Sequence, residues 1–270
     1  MATIIVESDY HSGHIAGLTP PSYWTGSGPW RKVQMELWRK RQAIIEEVGR
    51  PDLLILNGDL LDGKGTRSGG TEELTTAMIT QARMATECAM QWEAPHVAIS
   101  RGTDYHVGWG GEDWEDDVAE RVLTATRNIH GKDAQVEIED QLFIRHEGIT
   151  IDAKHHSGST SIPHGGGTAI LKDKVWNEQW WLDGQGQPLA DIILRSHCHW
   201  HEGYWGFRSG KVWYAIRTPA LQAKGTKFGK KCSHRVDWGL IRIEVEDGKI
   251  LDVVPYIVAI KANKSKVVRM

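Results

Sequence analysis

Five short segments, far apart in the chain, set carboxylates and imidazoles close together: Asp9-Tyr10-His11, Asp59-Leu60-Leu61-Asp62, Thr103-Asp104-Tyr105-His106, His155-His156 and His197-Cys198-His199. In an extended segment residues two apart point to the same side, so Asp9 and His11 can serve one ion together. The union is Asp9, His11, Asp59, Asp104, His155 or His156, His197 and His199. It is the nitrogen and oxygen ligand inventory of a two-metal site. Carboxylate and imidazole without thiolate suit Mn, Fe, Zn, Co or Ni rather than an iron–sulfur cluster. A shared Asp59 would bridge the two ions.

Each segment ends an apolar run. Leu53 to Leu56, bounded by Pro51 and Gly58, has the continuous apolar character of a strand buried on both faces, as in a largely parallel sheet. Such sheets carry their chemistry beyond the carboxyl ends of the strands. Ile4 to Val6, Pro95 to Ser100 and Ala190 to Arg195 are read as further strands, and Gln135 to Asp152 as antiparallel strands of a second sheet. Later runs at Val212 to Ile216, Leu240 to Glu246 and Ile250 to Val254 continue the β pattern, with Asp247-Gly248 as a hairpin turn between the last two. Trp30 to Val48 is an amphipathic helix whose Arg and Lys residues form a solvated face. Thr71 to Trp92 is helical with Thr71 as N-cap. The acidic run Glu112, Asp113, Glu115, Asp116 and Asp117 favours a helix N-terminus through the dipole. Pro163 to Trp181 opens on a glycine-rich turn and continues as a helix. His14 to Trp30 is a long irregular loop of the kind that forms functional lids.

The chain of 270 residues, 40% apolar and 25% charged, has the composition of one globular domain over residues 1–260, followed by a basic tail over 261–270. No run approaches the ~18 to 20 apolar residues of a membrane helix, and the N-terminus lacks a signal-peptide layout. Three scattered cysteines suit a reducing compartment, so the expected location is cytoplasmic, with no membrane partner. A net charge of −3 argues against a generally basic nucleic-acid surface and leaves room for local patches. The thirteen tryptophans are primarily a packing resource.

The order of these blocks resembles the calcineurin-like metallophosphoesterases, whose signature runs D-x-H, G-D-x-x-D, G-N-H-[DE], H and G-H-x-H. Gly58 to Asp62 matches the second block and His197-Cys198-His199 the last, with Ser196 in place of its first glycine. The resemblance implies an α/β fold, a four-layer αββα sandwich of two mixed β-sheets flanked by helices. It implies two divalent ions, manganese foremost. One would be held by Asp9, His11, Asp59 and His199, and the other by Asp59, a third-block residue, His155 and His197. Asp62 becomes a supporting residue. The third block departs from the pattern, and two alignments compete. With one residue inserted, Asp104 is the ligand and His106 the general acid. Without it, Thr103 is the ligand and Asp104 the acid. The first is preferred because a hydroxyl is a weak ligand. His155 is preferred over His156, which is left to contact phosphate along with Arg101 and Arg67. His201 falls outside the ligand set. The implied activity is phosphoester hydrolysis by a metal-bridging hydroxide, on a phosphodiester or nucleic acid. A phosphomonoester or nucleotide substrate and a catalytically silent assembly role are the alternatives, and the oligomeric state is left open.

Overall fold

Ile4, Ile5 and Val6 are all fully buried, which requires that the strand carrying them be covered on both faces. The computed structural model describes residues 1–24, 29–66, 68–109, 111–158, 165–224 and 235–260. In chain order the elements are β1 (Ala2–Glu7), α1 (Pro29–Val48), β2 (Leu53–Leu56), α2 (Met78–Met90), β3 (His96–Ser100), α3 (Asp104–Val107), β4 (Gly108–Trp109), β5 (Glu112–Asp113), α4 (Trp114–His130), β6 (Gln135–Glu139), β7 (Gln141–His146), β8 (Ile149–Lys154), α5 (Thr168–Leu182), β9 (Ile192–Arg195), β10 (Glu202–Arg208), β11 (Lys211–Arg217), β12 (Trp238–Glu246) and β13 (Lys249–Val258).

The first sheet has the order β13-β12-β1-β2-β3-β6. Its strands β1, β2, β3 and β6 run parallel, β12 pairs antiparallel with β1, and β13 pairs antiparallel with β12. The second has the order β10-β11-β9-β8-β7, with β8, β9 and β11 parallel and an antiparallel strand at each edge. Alternate residues of β1 and β2 face opposite ways. Ile4, Val6, Leu53 and Ile55 meet Ile151, Ile192 and Leu194 of the second sheet. Ile5, Leu54 and Leu56 meet Leu37, Ala85 and Val122 of helices α1, α2 and α4. On the far side Ile170 of α5 packs on Ile193 and Ala215. Two mixed sheets flanked by helices are therefore the observed architecture, as the resemblance implies.

Three local expectations change. Strand β6 belongs to the first sheet, paired parallel to β3, because Val136 and Ile138 turn toward the helix-side core. Its alternation reveals a half-buried strand without saying which sheet accepts it. Helix α2 starts at Met78, not Thr71. The preceding residues hydrogen-bond to the loop after β1 instead, Leu74 N to the Gly13 carbonyl (2.7 Å) and Ile15 N to the Glu72 carbonyl (2.9 Å). That loop is no lid at its start, since Ala16, Leu18 and Thr19 are fully buried beneath it. The hairpin at Asp247-Gly248 has positive φ at both residues, 49° and 74°, as a type I′ turn requires. The basic tail lies outside the described residues. No helix among those described is long and apolar enough to cross a membrane.

Arg41 leaves the solvated face expected of α1 and is fully buried. Its Nε donates to Glu7 Oε1 (2.8 Å) and its terminal nitrogen to Glu7 Oε2 (2.9 Å) and the Cys88 carbonyl (2.9 Å). Tyr10, the residue between Asp9 and His11, donates its hydroxyl to the same carboxylate. The pair ties α1 and α2 to the end of β1. Removing one member strands the other charge in the core, so Arg41→Ala should cost about 3–5 kcal/mol. Exposed Arg39→Ala should stay within about 0.5 kcal/mol in the same urea titration, and equal losses would contradict the assignment.

Candidate metal centre

The chain leaves β1, β2 and β9 through backbone turns that side chains rarely adopt. Asp9 (φ 52°), His11 (45°), Asp59 (52°), His197 (70°) and His199 (59°) all lie in the left-handed region. Among the described residues the other four non-glycine residues there are Glu93, Glu147, Ser209 and Asp247, the last three each preceding glycine in a hairpin turn. Left-handed conformation costs roughly 1–2 kcal/mol per residue. Its gathering at five residues with ligand chemistry marks a functional site. The turns after β1 and β2 are held against each other by Asp9 N to the Gly58 carbonyl (2.9 Å), His11 N to the Asp59 carbonyl (3.0 Å) and Ser12 N to the Leu60 carbonyl (3.0 Å).

These turns bring ligand atoms into two groups, Asp9, His11 and His199 in one, Asp59, His155 and His197 in the other, and a third cluster of His11, Asp62 and His106 shares His11 with the first. In the first, His199 Nε2 is 3.2 Å from Asp9 Oδ1 and 3.2 Å from His11 Nε2. In the second, Asp59 Oδ2 is 3.1 Å from His155 Nε2 and 3.9 Å from His197 Nδ1. Asp59 Oδ2 also lies 4.0 Å from His11 Nε2, so one carboxylate reaches both groups. Of the adjacent histidines, His155 is buried and aimed at Asp59, while exposed His156 sits outside with its ring 5.2 Å from that of His197.

Hydrogen bonds behind the rings fix which nitrogen is free. His155 Nδ1 donates to the Asn57 carbonyl (2.7 Å), and His11 Nδ1 to Asp62 Oδ1 (2.8 Å). In both, Nε2 is the nitrogen that faces the carboxylates, the one on which a metal would replace a proton. Charges in this buried space are strongly coupled. Burial alone would raise the Asp9 carboxyl, but His199 beside it prevails and holds it at about 2. Burial alone would lower His155, and the Asp59 carboxylate instead pushes it up to about 10. Beyond the ion-pair contacts at 3.2 Å and 3.1 Å, the buried Asp9 oxygens and His155 Nε2 have no well-aligned hydrogen bond. Such groups are costly unless something satisfies them. A divalent ion in each group would, and the donor set fits one.

The third block is where the structure departs from the preferred alignment. Asp104 joins neither group; it is exposed in the first turn of α3, beside Lys64, Thr66 and Tyr105. Thr103 faces the centre instead. Its backbone N donates to Asp59 Oδ1 (2.6 Å), and its hydroxyl lies 3.3 Å from both Asp59 Oδ2 and His197 Nδ1. The cause is steric. A Cβ on Gly102 would fall 2.3 Å from Asp59 N, so the β3 turn docks on Asp59 at glycine and the next residue is the one presented. Helix α3 then begins and turns Asp104 outward. Its third residue, His106, comes back toward the centre, with its ring edge-on to His11 at 4.6 Å and Nδ1 donating to the Asp62 carbonyl (2.8 Å).

Arg101, expected at the substrate, points elsewhere and is engaged by carboxylates, Asp116 at 2.6 Å, Asp113 at 3.4 Å, Asp140 at 3.5 Å and Glu139 at 3.7 Å. Arg67 lies outside the described residues. His201 donates Nδ1 to the Arg217 carbonyl (3.0 Å), apart from both groups. Two residues of consequence carried little signal in the sequence. Asn57 follows the Leu53–Leu56 run with nothing in the sequence to single it out, and Glu115 is one of several acids at a helix start. Asn57 is fully buried behind His155, and Glu115 is fully buried against the β2 and β3 turns.

The sequence matches no protein-family model and no curated protein. Solved structures do match. Zinc-complexed Vps29 from Entamoeba histolytica is 16% identical with a TM-score of 0.43, covering 95% of this chain and 98% of that one. A metallophosphoesterase from Sphaerobacter thermophilus is 12% identical with a TM-score of 0.43, covering 96% and 89%. A predicted phosphoesterase from Streptococcus pneumoniae is 12% identical with a TM-score of 0.36, covering 95% and 98%. At these identities and scores the functional argument rests on the site's own residues.

The shared position of Asp59 has a direct test in metal content. Asp9→Asn should leave one ion per chain after dialysis, and Asp59→Asn none, by elemental analysis against protein concentration. Equal losses in the two variants would remove Asp59 from its bridging place.

Proposed function

We propose that this protein is a metal-dependent phosphoester hydrolase with a dinuclear centre, manganese foremost, acting on phosphodiesters. The observation that supports it best is the pair of ligand groups joined through Asp59, with three buried ligand atoms that lack a well-aligned hydrogen bond. When bound, two divalent ions supply Lewis acidity toward a phosphoryl oxygen and lower the pKa of water enough to make a nucleophile near neutral pH. The chain's own residues do the rest. Asp62 orients His11 through Nδ1 and, through its carbonyl, holds His106 by the same ring atom. His106 Nε2 is then the nitrogen available to carry a proton to the leaving oxygen. His156, exposed beside His197, is placed to contact a phosphoryl group entering from the open side.

Charge favours the diester. A phosphomonoester brings about two negative charges near neutral pH, and Arg101, one of the cations expected to meet them, is neutralised by its own carboxylates. A diester asks for less. Nucleic acid is the natural polymeric substrate of this class; of Lys224, Lys227, Lys230 and Lys231, which form a local basic stretch in the sequence, the last three lie outside the described residues.

Manganese-loaded protein should hydrolyse bis(p-nitrophenyl) phosphate faster than p-nitrophenyl phosphate, and chelation should abolish both. Faster monoester turnover would reverse the substrate preference. No turnover on either would leave a metal-binding protein without this activity. His106→Ala should lower kcat by about 10² to 10⁴ with unchanged metal content. The loss should be smaller when the leaving group is a good one, since an acidic phenol needs less protonation.

A further inference from the structure

The acidic run at the start of α4 contains one side chain that does not face solvent. Asp113 caps the helix by accepting from Glu115 N (2.9 Å), and Glu115 itself turns inward and is fully buried. Its two oxygens have separate partners on separate loops. Oε1 accepts from Leu60 N (2.9 Å), immediately after Asp59, and Oε2 from Gly102 N (2.6 Å), immediately before Thr103. The loops touch between these points, where Thr103 N donates to Asp59 Oδ1 (2.6 Å). A closed ring results, running Glu115, Leu60, Asp59, Thr103, Gly102 and back to Glu115.

We infer that Glu115 is a positioning residue that sets the orientation of the carboxylate shared between the two metal groups, an inference that rests on the metal-centre assignment above. The ring commits Asp59 Oδ1 to the Thr103 amide, which leaves Oδ2 to face His155, His197 and His11. Without the clip Asp59 is held to the β3 turn by the Thr103 amide and the longer contact to the Thr103 hydroxyl (3.3 Å), and a small rotation of Asp59 would withdraw Oδ2 from one group. Only a carboxylate offers two equivalent acceptors at this spacing. Glutamine offers one and sets its NH₂ against a backbone N–H; alanine leaves both N–H groups buried and unpaired. Burying a carboxylate here is costly, and the Leu60 and Gly102 N–H groups oppose the upward push of burial on its pKa by favouring the charged form that accepts from both. A role in geometry accounts for that cost better than stability does.

Glu115→Gln tests this with readouts that do not need turnover. Manganese binding is measured by calorimetry, the coupling between paired manganese ions by electron paramagnetic resonance, and the fold by thermal unfolding of the metal-free protein. Metal affinity should fall by about 10–100-fold, the usual effect of removing a residue behind the ligands. The spin-coupled signal should weaken, and the metal-free melting temperature should change by only a few degrees. Unchanged affinity and coupling would overturn the role of Glu115, as would a lower melting temperature with unaltered metal binding. Wild-type protein that takes up no manganese would overturn the proposal together with the metal centre, a distinct result. Should Glu115→Ala fail to fold, the glutamine variant carries the test alone.

Discussion

Two β-sheets can bring their strand ends to one point only if the polar groups at those ends are satisfied between the sheets, and one buried amide carries most of this. Asn57, at the end of β2, takes the Ser100 hydroxyl of β3 on its side-chain oxygen. It donates Nδ2 to Ser196 Oγ (2.5 Å) after β9 and to the Lys154 carbonyl (3.2 Å) of β8. Its own carbonyl receives His155. From Ser196 the chain of hydrogen bonds continues to Thr218 (2.6 Å), after β11, and on to Ser8 (2.8 Å), after β1. A buried donor or acceptor without a partner costs about 1–3 kcal/mol, so this network is favourable only when complete. Completing it forces the ends of β1, β2, β3, β8, β9 and β11 together. Ser196 stands where the resembled signature has glycine, and its hydroxyl is one of the links.

Upon that seam the site is built under strain. Five residues with ligand chemistry hold left-handed backbone, at a combined cost comparable with a good part of the stability of a domain. Hydrogen bonds between the β1 and β2 turns and the buried Arg41–Glu7–Tyr10 cluster hold the chain there. Tyr10 matters because it separates Asp9 from His11. Its side chain goes to the helix side of the sheet while its two neighbours face the second sheet's strand ends. The D-x-H spacing thus reflects a turn that sends Tyr10 to one side and both of its neighbours to the other.

The parts legible in the sequence were those where a residue type has few uses. Histidine and aspartate closing apolar runs are candidate ligands, and of those picked out in this way Asp9, His11, Asp59, His155, His197 and His199 fall in the two groups while Asp104 does not. Legibility failed where identity depends on a register set elsewhere. Thr103 and Asp104 are adjacent, and only the docking of Gly102 on Asp59 decides which faces the centre. Glu115 is one of five acids in a run, and the start of α4 alone determines that it turns inward. Arg41 shares a helix with several solvated cations and differs only in lying over Glu7. β6 shows its half-buried alternation plainly, but pairing with β3 depends on the path of α4 before it.

The two candidate ligand groups are unequal, and the inequality has chemical content. Asp9, His11 and His199 sit in the better buried group, and with Asp59 they offer two carboxylates to one ion. The second group offers the same Asp59, two imidazoles and a threonine hydroxyl, and it opens to solvent through His197, whose side chain is 40% exposed. Ligand charge and rigidity govern how firmly a divalent cation is held. An ion in the second group would therefore keep more uncompensated positive charge and more access to solvent than its neighbour. A phosphoryl oxygen is an anionic ligand able to supply that missing charge from the open side, where His156 also lies. On this argument the weak donor at Thr103 is compatible with hydrolysis, because the place it leaves poorly filled is the one a phosphodiester would occupy.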